Sequence, residues 1–216
     1  MAEYTTDRGI TDSSVTIHNV NPVVLMEKIL RERIQDALYF KELCFAIDEE
    51  SICDRAAEDV KYIGGHYGNL KPTPFACLLF SLLQLNPSAD IVKEYLNQKH
   101  FKYLTALAAI FIRMTFPAVE VYTLLEPFLA DYRKLRIKST AGTKLIYMDE
   151  FVDELLIKER VCDIALIRLP KRQFLEDEDK LDPRKSLLDA ELDSDISSDD
   201  RDYDSISELR KEKEVN

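Results

Sequence analysis

Residues 62–85 read YIGGHYGNLKPTPFACLLFSLLQL, and the second half of this stretch decides the fold. From Phe75 onward the run FACLLFSLLQL is apolar on nearly every side. A helix without a polar face must be surrounded by other elements, so it belongs in the middle of a domain. Thr73-Pro74 marks its start, with threonine as cap and proline at the first helical position. Ahead of it, residues 62–73 hold three of the chain's five glycines, which predicts an irregular connection. A second stretch, FKYLTALAAIFIRM at 101–114, is again apolar almost all round. Its Ala106, Ala108 and Ala109 let a neighbouring helix approach closely.

Amphipathic helices are expected around these two. Asn21-Pro22 opens one that reaches to Phe45, with Met26, Leu30, Ile34, Ala37 and Leu38 inward and Lys28, Arg31, Glu32 and Gln35 outward. Asp48 caps a shorter helix with Ile52, Ala56 and Val60 inward. Ser88 caps one ending near Asn97, and Pro117 opens another through about Asp131. In 135–148, two β-prone runs flank Thr140-Ala141-Gly142-Thr143, a hairpin pattern with Gly142 at the special backbone position. Asp149 caps the helix DEFVDELL, and a further turn or helix covers 160–169. The expected architecture is all-α: a compact bundle of about seven helices with one minor β-hairpin and a disordered acidic C-terminal tail.

The chain has 216 residues, 46% of them hydrophobic, and a net charge of −11. Residues 173–216 carry 16 acids and 7 bases, against 24 acids and 22 bases in 1–172, so the acidity belongs to the tail. Three parts are expected: a flexible arm over 1–17, a helical domain over 18–172, and the tail over 173–216. The tail is too poor in apolar residues to offset its ordering entropy. Two islands within it, 183–192 and the Ser205-x-x-Glu208 capping pattern, are candidate short helices. Ser197 and Ser205, each with an acid three residues on, are candidate phosphosites. Deleting 173–216 is expected to leave the circular dichroism melt of 1–172 nearly unchanged. A collapse of the melt would place the boundary elsewhere.

No secretory signal is expected in the polar first 17 residues. The apolar runs at 75–83 and 106–112 fall far short of the ~18–20 residues of a membrane span, so no membrane partner is expected. Cys44, Cys53, Cys77 and Cys162 are scattered, which argues for free thiols and against a disulfide framework. A cytoplasmic or nuclear protein is the expectation.

Four groups of residues invite a chemical reading. Asp149, Glu150, Asp153 and Glu154 lie one turn apart on a helix and are candidates for partner contact. With no histidine beside them, they read as acids at the positive end of a helix and not as a metal or acid–base centre. Tyr62, Gly64, Gly65, His66, Tyr67 and Lys71 form another group. Within it, Gly64-Gly65-His66-Tyr67-Gly68 with Lys71 resembles a phosphate loop only superficially, because no strand precedes it and Pro72 follows the lysine. They read as a tight, partly buried connection that lets helices cross closely, with side chains that are candidates for partner binding. The histidines and cysteines lack zinc spacing. Arg133, Lys134, Arg136, Lys138 and Lys144 form a basic cluster around the hairpin, either solvated charge or a contact for RNA phosphates or an acidic partner. No cofactor, metal or small-molecule substrate is expected.

Several stretches together resemble the pre-mRNA-splicing factor 38 family: HNVNPVVLMEKILRERI at 18–34, YIGGHYGNLKPTPFACL at 62–78, HFKYLTALAAIFIRM at 100–114, LLEPFLADYRKL at 124–135, and MDEFVDELLIKERVCDIALIRLPKR at 148–172. The resemblance implies a nuclear, non-enzymatic scaffold of the precatalytic spliceosome, around the tri-snRNP, that supports spliceosome activation. It implies an all-helical domain binding other splicing proteins, including a zinc-finger protein and an elongated helical one. A direct RNA-binding module using the basic hairpin is the alternative.

Overall fold

The computed structural model describes residues 17–184. They divide after Lys171 into two units. The first holds α1 (Lys28–Asp36), α2 (Glu49–Glu58), β1 (His66–Tyr67), β2 (Lys71–Pro72), α3 (Pro74–Leu85), α4 (Ala89–Leu96), α5 (Lys102–Thr115), α6 (Ala118–Leu125), β3 (Lys134–Ser139), β4 (Gly142–Tyr147), α7 (Met148–Ile157), β5 (Arg160–Val161) and β6 (Ile164–Ala165). The second holds α8 (Arg172–Asp177), in which Arg172 pairs with Glu176 and donates to the carbonyl of Asp182. Residues 1–16 of the expected 1–17 arm, both candidate phosphosites and most of the acidic tail lie outside the described residues. Residues 173–177, expected to be unstructured, are part of α8.

The apolar helix is where its composition puts it. Phe75 through Phe80 are fully buried. The Thr73 hydroxyl accepts from the amide of Ala76, and Asn86 ends α3 in the left-handed conformation, where asparagine is tolerated. α5 packs against α3 and α4, and its Ala106, Ala108 and Ala109 are all buried.

The long first helix is instead three pieces. A 3-10 turn at Pro22–Leu25 and a π-helical turn at Phe40–Cys44 flank α1, with extended backbone at Met26 and Ala37. Burial decides the break. Continuing from Leu30 and Ile34 would turn Leu38 inward; the structure leaves Leu38 68% exposed and buries Phe40 against Phe80. Arg31, expected on the outer face, is buried.

The strand content also exceeds one hairpin. Among the described residues there are three antiparallel pairs, β1–β2, β3–β4 and β5–β6. The fold is therefore mostly helical with small sheets. The β3–β4 hairpin has a two-residue loop between Ser139 and Gly142, and Gly142 has φ +128°. Residues 160–165, expected as a turn or helix, form β5–β6, whose two-residue turn is Cys162-Asp163 with φ values of +52° and +61°. α7 starts at Met148, so Asp149 sits within its first turn and does not cap it.

Burial governs the thiols. It pushes Cys44 up to about 12 and raises Cys77 and Cys162 well above the usual range, while Cys53 is only half-buried. Iodoacetamide at pH 8 is expected to alkylate Cys53 first, read by mass spectrometry of the native protein. Early labelling of Cys162 would contradict the buried turn. A folded thiol with a raised pKa holds its proton after the unfolded thiol has lost it. Stability is therefore present below the unfolded value of about 8.5 and declines as pH rises above it.

Candidate docking surface around the glycine loop

Residues 62–73 are wedged between two hairpins. The amide of Ile63 donates to the carbonyl of Arg136 at 2.7 Å, and the amide of Lys138 donates to the carbonyl of Ile63 at 2.8 Å. The loop thus meets the free edge of β3 through an isolated parallel bridge between Ile63 and Ile137. Gly64 and Gly65 follow because nothing larger fits. A Cβ on Gly64 would lie 2.1 Å from the carbonyl oxygen of Lys138, and one on Gly65 would lie 2.4 Å from that of Cys162. Gly64 also has φ +139°, backbone that side chains rarely adopt. The amide of Thr73 donates to the carbonyl of Gly65 at 3.0 Å, and its hydroxyl donates to that of Gly64. The residue that caps α3 therefore also ties down the loop.

The side chains form a connected set. Tyr62 and Tyr67 meet edge to face, and the Lys138 ammonium lies 4.4 Å and 4.0 Å from their ring centroids. The His66 Nδ1 lies 3.2 Å from the Asp163 carboxylate. Lys71 is exposed, paired across β1–β2 with Tyr67. The partner-binding residues expected on this loop share one region, except that Gly64 and Gly65 are buried and act as backbone. Sequence reasoning missed Asp163 and Cys162, since nothing in their identity announces two successive left-handed residues.

The carboxylate group does not converge. The Glu150 carboxylate accepts from the amide of Tyr147 at 3.1 Å, and Glu154 pairs with Lys158 at 2.7 Å. Asp149 is half-buried and Asp153 exposed. Among the described residues no group of three or more histidine, cysteine, aspartate or glutamate side chains can hold a metal.

The basic cluster is split. Arg133 donates to both oxygens of Asp131 and to the carbonyls of Gln98 and Lys99 at 3.0 Å, so it is a structural clamp. Register pairs Ile137 with Lys144 and Arg136 with Leu145. Directly opposed residues share a face, so Lys144 lies on the side opposite Lys134, Arg136 and Lys138. Beside Asp131 and Arg133 runs a groove of about 770 Å³ lined by Leu96, Leu124, Phe128 and Tyr132.

These features define a mostly helical domain whose distinguishing surface is a glycine loop locked between hairpins. The chain belongs to the PRP38 family, whose profile it matches over residues 15–179. It is 46% identical over 190 residues to pre-mRNA-splicing factor 38 of Drosophila melanogaster, covering 87% of this chain and 57% of the relative. It is 52% identical over 169 residues to pre-mRNA-splicing factor 38 of Schizosaccharomyces pombe, covering 78% and 80%. It is 44% identical over 196 residues to pre-mRNA-splicing factor 38A of Xenopus tropicalis, covering 90% and 62%. The chain thus spans about three fifths of the length of the fly and frog relatives. Among solved structures, the crystal structure of the Snu23-Prp38-MFAP1(217-258) complex of Chaetomium thermophilum contains a chain 51% identical to this one, with a TM-score of 0.77 and coverage of 83% and 96%.

Proposed function

We propose that this chain is a non-catalytic scaffold of pre-mRNA splicing, acting in the nucleus within the precatalytic spliceosome to support its activation. It binds other splicing proteins, a zinc-finger protein and an elongated helical one among them. One observation carries the reading: a relative sharing half its residues and the same fold is found in a three-protein splicing complex. The geometry agrees with this role. The loop and hairpins are held by backbone contacts that leave Lys71 at the surface, Asp153 is exposed on α7, and the carboxylates are dispersed. Capture by the full-length tagged chain from nuclear extract, read by mass spectrometry, tests it. The expected result is recovery of spliceosomal proteins, reduced for a Lys71→Glu, Asp153→Lys variant that melts like wild type. Recovery of no splicing protein by the wild-type chain would overturn the proposal.

A further inference from the structure

We propose that the outward face of the β3–β4 sheet binds single-stranded RNA. The argument begins with what the register leaves on that face. Lys134, Arg136 and Lys138 alternate along β3, about 6.7 Å from one to the next. Opposite them stand Tyr147, Leu145 and Thr143. Tyr62, next to the Ile63 bridge on the free edge of β3, closes the far side around Lys138 together with Tyr67. No carboxylate occupies any cross-strand position of this face. Two carboxylates close to the ends of the hairpin in sequence are engaged elsewhere, Glu150 with the amide of Tyr147 and Asp131 with Arg133. The row is therefore positive and unneutralised within the sheet, which suits an anionic polymer.

The apolar half of the face selects among anions. Leu145 is 52% and Tyr147 36% exposed, beside cations that are themselves exposed at Lys134 and Arg136. This places an exposed ring and an exposed leucine within reach of a flat partner. Unpaired bases stack on aromatic side chains while cations track the backbone, the arrangement by which sheets hold single strands. A duplex hides its base faces, and an acidic peptide has none to offer. The chain's net charge of −11 does not oppose this, because most of it lies in 173–216. The inference stands apart from the scaffold reading and does not need it.

Fluorescence anisotropy of the full chain with a fluorescein-labelled oligouridine of about ten nucleotides tests it, a length within the usual site size. Contact with two or three phosphates is expected to give a log–log salt slope of about −1.5 to −2. Lys134→Glu with Arg136→Glu, or the milder Lys134→Gln with Arg136→Gln should the first fail to fold, is expected to abolish binding or reduce it sharply. Tyr147→Ala is expected to weaken it by about ten-fold, with Tyr147→Phe retaining most of it. Lys144→Glu, on the other side of the sheet, is expected to change little. The proposal is overturned if Lys144→Glu weakens binding as much as the Lys134 and Arg136 changes. It is equally overturned if duplex RNA competes as well as the single strand, or if polyglutamate binds and oligouridine does not.

Discussion

Replacing Gly65 with aspartate is expected to lower the melting temperature of the domain markedly and to abolish capture of splicing proteins. The new Cβ would meet the Cys162 carbonyl oxygen at 2.4 Å and the Asp163 Cβ at 3.1 Å. Neither is the loose end of a flexible side chain. Both belong to a two-residue turn already committed to left-handed backbone, so relief requires the β5–β6 hairpin to move. The added carboxylate would also be pressed beside Asp163, the partner of His66. Overpacking plus an unpaired buried charge places the cost at about 3 kcal/mol or more. For a domain of this size that corresponds to a fall in melting temperature of roughly 6–12 °C. Gly65→Ala separates the steric part from the charge. Gly68→Ala is the comparison, because a Cβ there meets nothing within 4 Å and only its φ of +52° is strained. It should cost about 1 kcal/mol. Equal melts for Gly65→Asp and Gly68→Ala would show that the loop is not wedged as described.

The same contrast explains how much of this protein was legible in its sequence. Local chemistry was readable. Thr73-Pro74 and Asn86 bound the buried helix, and Gly142 sits where the hairpin needs it. What failed depended on information that no short window holds. The break at Ala37 exists because Phe40 finds Phe80, and alanine itself favours helix. Arg133 reads as part of a basic patch until Gln98 and Lys99, over thirty residues away, offer it carbonyls. Lys144 looks like a member of the same patch because it is close in sequence. Its face is fixed by register, where a slip of one residue reverses every side chain. The loop's glycines were read as letting helices cross closely; the close approach is there, but hairpins make it, and that was unreadable. Gly64 meets the Lys138 carbonyl of β3, and Gly65 meets a turn built from cysteine and aspartate nearly a hundred residues downstream.

Arg113 is the other position from which a large effect is expected, and it is a charge inside a helix that otherwise reads as pure core. It is 4% exposed. Its Nε donates to the carbonyl of Leu155 at 2.8 Å, and an Nη donates to the carbonyl of Ile167 at 2.6 Å. Leu155 lies in the last turn of α7, where carbonyls lack helical partners, and Ile167 lies in the irregular segment after β6. One planar group thus ties α5 to the end of α7 and to the chain that carries the Cys162-Asp163 turn. Arg113→Met keeps the aliphatic stem but strands two acceptors, each costing about 1–3 kcal/mol when buried. A total near 3 kcal/mol is expected, read as a fall in melting temperature of roughly 6–12 °C. Arg113→Lys should recover little, since a single ammonium cannot reproduce the fork that spans both carbonyls. Hydrogen exchange distinguishes this from a general loss of packing. Amides over 155–170 should gain exchange well before those of α3, and the glycine loop should follow, because Gly65 rests on the Cys162 carbonyl. Partner capture should then weaken more than the melt alone implies. Full rescue by lysine, or exchange rising evenly through α3 and α5, would mean that Arg113 fills space and does not hold these two segments together.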